Sequence, residues 1–150
     1  MSVALKPAQA AWLLGLAGLI PFVAPAVLAL AGNTAWLGAQ QSYAACILAF
    51  LGALHWGPAL NGSARRPALL LAWGVVPSLV AWVVLQAPSL QTDAHSAFRA
   101  WCLAAALVGV WLVDLALAQL HTWPAYYLKL RGVLTVLAAV SVVLPTLPLR

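Results

Sequence analysis

The sequence predicts an all-α fold, an integral membrane bundle of five transmembrane helices, and three observations predict it. Hydrophobic residues make up 65% of the 150 residues and charged ones only 6%, too few charges to cover the surface of a soluble domain. The apolar residues come in runs of about 20, the length that crosses a hydrocarbon layer of roughly 30 Å at about 1.5 Å per residue. Short polar breaks separate the runs: Gly32-Asn33-Thr34, Asn61-Gly62-Ser63, Pro88 to His95, and His121 to Arg131. Backbone in lipid must satisfy its own hydrogen bonds, and no alternating pattern suggests barrel strands, so the runs are helices. A single domain follows, with spans at 9–31, 40–60, 68–87, 98–119 and 130–147.

The first span begins after Lys6 and ends in Ala29-Leu30-Ala31, the outline of a secretory signal. Its apolar part is longer than the roughly 7–15 residues of a signal core, so a retained helix is expected. Pro21 and Pro25 predict a kink, with neighbouring helices taking up the freed carbonyls. In the second span Ala45, Ala49 and Ala53 lie four apart and form a small-residue face for a close helix contact. The third contains Gly74-Val75-Val76-Pro77, which echoes Gly18-Leu19-Ile20-Pro21 in the first. A duplicated hairpin would produce that echo, but the second and fourth spans do not align and Gly and Pro are common in membrane helices, which favours chance. The fourth span holds Asp114. In the second and fifth, Ser42, Thr135 and Ser141 are expected to bond their own helix carbonyls.

Lysine and arginine set the orientation. Lys6, Arg65, Arg66, Lys129 and Arg131 gather on the amino-terminal side of the bundle, against Arg99 and Arg150, with Asp93, on the other. The excess places the N-terminus inside and, across an odd number of spans, the C-terminus outside. A basic inner face also favours anionic headgroups, and the lipid bilayer is the first partner. The net charge of +5 reads as topology; nothing outside the membrane offers a nucleic-acid surface. Trp36, Tyr43 and Trp101 fall near the outer boundary, and Trp12, Trp73, Trp123, Tyr126 and Tyr127 near the inner one, as interfacial anchors.

Catalytic chemistry has little to stand on. Cys46 and Cys102 are single thiols in different spans and are expected to pack as small hydrophobes. Three histidines and two carboxylates, scattered along the chain, give no metal set, and no cofactor is implied. Ser78 has no histidine in its own helix and no nucleophile-elbow glycines around it.

Two residues break the apolar runs and define the candidate site. Asp114 is the only acidic residue inside a long run, and His55 sits in Phe50-Leu51-Gly52-Ala53-Leu54-His55-Trp56-Gly57. A carboxylate at mid-membrane costs roughly 2.5–3.5 kcal/mol on insertion scales, so it must face protein. Trp111, Ala118 and His121 share its helical stripe; Gly52, Leu48 and Ala45 precede His55 on a stripe that admits another helix. Both residues lie in the inner half of their helices, beside Arg131, Lys129, Arg65 and Arg66. Two readings of a His55–Asp114 site with Arg131 or Arg65 stay open. One is a satisfied polar clamp, the other a proton or cation site.

The stretch from Gly52 through His55, Trp56 and Gly57, then Pro77-Ser78, Asp114, and Pro124-Ala125-Tyr126-Tyr127-Leu128-Lys129-Leu130-Arg131, resembles a domain-of-unknown-function family of small polytopic inner-membrane proteins that includes mitochondrial transmembrane protein 69. The resemblance runs from the first span to the start of the fifth and implies a helical bundle in an energy-coupling membrane, expected to be the bacterial inner (cytoplasmic) membrane. It marks His55, Trp56, Asp114, Tyr127 and Arg131 as the positions to test, and it carries no catalytic role. Pro58 departs from the pattern and is expected to end or bend the second helix. The leading functional expectation is a non-enzymatic accessory or interaction subunit that binds another membrane protein or complex. A small transporter or proton/ion conductor using His55 and Asp114 is the alternative, and a lipid- or quinone-binding protein the third.

Overall fold

The computed structural model describes residues 6–86, 93–120 and 123–148, with the side chains of residues 93–95 excluded. The part of the expected third turn from Pro88 to Thr92, the side chain of Asp93, His121 and Arg150 lie outside the described residues. The described residues form seven α-helices: α1 (Pro7–Ala17), α2 (Ile20–Leu30), α3 (Leu37–Ala53), α4 (Trp56–Leu60), α5 (Pro67–Gln86), α6 (Asp93–Leu117) and α7 (Tyr127–Val143), followed by a 3-10 turn at Leu144–Thr146. There is no strand among the described residues. Read as spans, they are five helical segments long and apolar enough to cross a membrane: Pro7–Leu30, Leu37–Leu60, Pro67–Gln86, Ser96–Leu117 and Tyr127–Thr146. The protein is a multi-pass membrane protein.

Two of the spans are broken, and proline chemistry explains where. A proline has no N–H to donate to the carbonyl four residues back, and its ring crowds that carbonyl. For Pro21 the deprived residue is Ala17, the last of α1; for Pro58 it is Leu54, the residue at which α3 gives out. The expected kinks therefore come as breaks one turn ahead of the prolines. At the first break the Phe22 amide turns to Leu19 O (2.9 Å), and the Gly18 carbonyl accepts the Tyr43 hydroxyl of α3 (3.0 Å). A neighbouring helix thus takes up a loosened carbonyl, as the sequence predicts. Pro77 sits inside an unbroken α5, so the two G-x-x-P segments do not behave alike.

The protein core is narrow. Helix α3 packs against α2, α5, α6 and α7, and its buried side is Gln40, Gln41, Ala44, Ala45, Leu48, Leu51 and Gly52. Ala53, expected on the contact face, is exposed. In α6 the buried stripe runs Ala100, Leu103, Leu107, Val110, Asp114, alternating three and four residues as a helix seam requires. Phe22, Ala138 and Val142 close the cluster from α2 and α7. Many large apolar side chains, Leu79, Trp82, Val83 and Val136 among them, are exposed, as lipid-facing positions allow.

Candidate functional site

The break after α3 turns His55 inward. Its backbone N–H bonds Gly52 O at 3.2 Å, a tightened three-residue turn, and its imidazole meets Asp114 of α6, Nε2 lying 3.4 Å from Oδ1. From α7, Arg131 donates Nε–H to the other carboxylate oxygen, Oδ2, at 3.1 Å. Arg131 Nη1 donates to the Thr135 hydroxyl one turn along the same helix. His55 and Asp114 are each only 1% exposed, and Arg131 5%. Both Asp114 oxygens therefore face a nitrogen-bearing group, one from each of two other helical segments. The cluster lies three residues from the end of α6, about 5 Å along the axis, where a charge is less costly than at mid-membrane.

Aromatic rings wall this cluster. Trp123 meets the His55 ring edge-on, centroids 5.9 Å apart at 88°, and stacks on Tyr127 at 4.2 Å and 16°. Trp111, one turn before Asp114, lies on Gly132, next to Arg131; a Cβ at Gly132 would stand 3.1 Å from its ring. On the other side, Gly52 meets Gly74 of α5 backbone to backbone, and Pro77 closes over them. Trp56 covers Gly74 and donates its indole N–H to Leu71 O at 3.2 Å. The Gly52, His55 and Trp56 positions thus do three separate jobs: helix approach, polar contact and a lid over the glycine crossing.

Other singled-out residues stand apart. Arg65 is exposed and away from Asp114; its backbone N–H donates to Leu120 O at 2.9 Å, tying two loops together. Ser78 donates to Val75 O in its own helix, and Ser42 and Ser141 do likewise. Thr135 differs from expectation: its hydroxyl serves Arg131. Gly57 has open space around it, and Pro124 is exposed before α7. Cys46, expected in the core, is exposed on the bundle's outer face, because that position of α3 points away from the α2, α5 and α6 contacts; Cys102 is partly buried. Tyr43, expected as an interfacial anchor, is drawn inward by the Gly18 carbonyl and by Phe22, whose ring it meets edge-on at 5.1 Å.

A second polar layer went unnoticed in the sequence. The Gln40 amide donates to Phe22 O (2.6 Å) and Ser141 O (3.1 Å), joining α2, α3 and α7. Gln41 donates to Ser96 O (3.0 Å) and its hydroxyl (3.2 Å), joining α3 to α6. Fifteen residues separate Gln40 from His55, about 22 Å of helix, so the two layers sit near opposite membrane boundaries. The available signal was the Gln40-Gln41 pair in the first turns of an apolar helix. Among the described residues no group of three or more His, Cys, Asp or Glu could hold a metal ion.

The chain is 40% identical over 149 residues to Transmembrane protein 69 of Xenopus tropicalis, a match covering 93% of this chain and 55% of that protein. It therefore spans little more than half of that relative's length. No solved structure matches it. Residues 7–147, from the first residue of α1 to just past the final helical turn, match the family described as protein of unknown function DUF3429, and the chain belongs to that family.

Proposed function

We propose that the protein is a non-enzymatic accessory subunit that binds another membrane protein or complex in an energy-coupling membrane, the bacterial inner membrane, with its N-terminus on the cytoplasmic side. The observation that carries this reading is a polar contact made inside the bundle: Arg131 donates to one oxygen of Asp114, and His55 Nε2 lies 3.4 Å from the other. A buried ion pair joins the helices that supply it, and breaking it by removing one partner is far more damaging than replacing both. Asp114 and Arg131 neutralise each other inside the bundle, and the apolar helix faces are left for association. Lys6, Arg65, Arg66 and Lys129 at one end support the orientation.

Native mass spectrometry on protein extracted gently from its own membrane at natural abundance tests the proposal. A stoichiometric protein partner is the expected result; a lone chain or homo-oligomer contradicts it. A second reading, a proton or ion route, is favoured by the 3.4 Å approach of His55 to Asp114, two groups able to exchange a proton. It predicts that Asp114→Asn abolishes proton flux into liposomes while the bundle stays folded.

A further inference from the structure

An apolar groove of about 430 Å³ lies between the first span, α3 and α7, within the roughly 300–1,000 Å³ range of small-molecule sites. Leu14, Leu19, Phe22, Ile47 and Leu134 supply much of its wall. Leu14 and Phe50, both on its lining, are exposed, so it opens sideways toward lipid. Its polar groups gather mainly on α7 and the residue before it: Tyr126, Tyr127, Arg131 and Thr135. The Asp114 cluster therefore forms one wall of the groove through Arg131.

That guanidinium is not fully used. Nε serves Asp114 and Nη1 serves Thr135; the Tyr127 hydroxyl also interacts with the guanidinium, and Nη2 is buried with no hydrogen bond of regular geometry among the described residues. A buried donor left unmet is costly, so the site has a standing demand for an acceptor. Asp114 already balances the arginine charge, and adding an anion would leave the cluster net negative in a low-dielectric setting. The matching acceptor is a neutral carbonyl oxygen. Tyr126 and Tyr127 border this end of the groove, the latter stacked on Trp123, and aromatic faces favour a planar ring over a flexible headgroup.

We propose that the groove binds a quinone-type ring carrying an isoprenoid tail, with a ring carbonyl accepting from Arg131 and the tail lying along Leu14, Leu19, Ile47 and Leu134. Nη2 itself is buried, so the bond requires the guanidinium to turn toward the groove. The inference goes beyond the accessory-subunit reading and needs no protein partner, so either can fail alone.

The test is a titration of the purified protein in lipid nanodiscs with a benzoquinone bearing a two-isoprene tail, read by quenching of tryptophan fluorescence. Saturable quenching is expected, with the ring-free isoprenoid alcohol of the same tail binding at least about tenfold more weakly. Ala11 lines the groove from α1, a helix with no buried residue, so Ala11→Phe fills the site without touching the core. That variant is expected to lose about tenfold or more in affinity at an unchanged melting temperature. Absence of saturation in the wild type, equal binding of the ring-free alcohol, or undiminished binding by Ala11→Phe overturns the proposal.

Discussion

A methyl group added at Gly52 would stand 2.4 Å from the Gly74 carbonyl oxygen and 3.1 Å from the Pro77 ring. Carbon and oxygen settle at about 3.3 Å or more in close helix contacts, so Gly52→Ala must drive α5 away by about 0.9 Å. The obstruction is backbone, which has no rotamer to escape into. Helix association in lipid depends on close packing, so the displacement forfeits contact along the α3–α5 seam and lifts Trp56 from Gly74. Overpacking of this kind costs typically about 1–3 kcal/mol. Gly57, in the same short motif, is the control. Nothing lies within 4 Å of its added Cβ, and alanine is the better helix former, so Gly57→Ala should be neutral or stabilising by up to about 1 kcal/mol. Reversible unfolding of the detergent-solubilised protein by sodium dodecyl sulfate, followed by tryptophan fluorescence, reads both variants. Equal stabilities for Gly52→Ala and Gly57→Ala would refute the reasoning.

Two further perturbations test the packing outside the cluster. Tyr43→Phe removes the donor that meets the Gly18 carbonyl at the first helix break and should cost about 0.6–1.7 kcal/mol in the same assay, the range of interhelical hydrogen bonds in membranes; no change would mean the break satisfies itself. Gln40→Leu strips two carbonyls of α2 and α7 of a shared donor and should exceed Tyr43→Phe in cost, and a smaller effect would show that the second polar layer is incidental.

The architecture was legible because the signals behind it are coarse: length, hydropathy and the requirement that backbone in lipid bond to itself. The helix breaks were half legible. Pro21 and Pro58 announce them, but a proline acts on the carbonyl four residues earlier, so the chain parts after Ala17 and Ala53 rather than at the rings. His55 and Asp114 stood out because each is costly in lipid. Their distance did not, since it depends on the break that swings His55 inward. Arg65 and Arg131 were equivalent by sequence; only α7 packing against α6 selects Arg131, while Arg65 stays in an exposed loop. Gln40 and Gln41 were passed over because an amide near a span boundary is cheap there, and only the tertiary fold shows which carbonyls it meets. The groove needs the first span to lie across α7, which no local pattern encodes.

The central claim is that Asp114 and Arg131 form a structural clamp, and a double-mutant cycle on the pair tests it most directly. Asp114→Leu and Arg131→Met are measured singly and together by unfolding in the same detergent system. Each single variant leaves one buried charge uncompensated and should cost about 3–5 kcal/mol, whereas the double variant removes both and should fall below the sum of the singles by well over about 1 kcal/mol. Single costs that add to within about 0.5 kcal/mol would contradict the clamp.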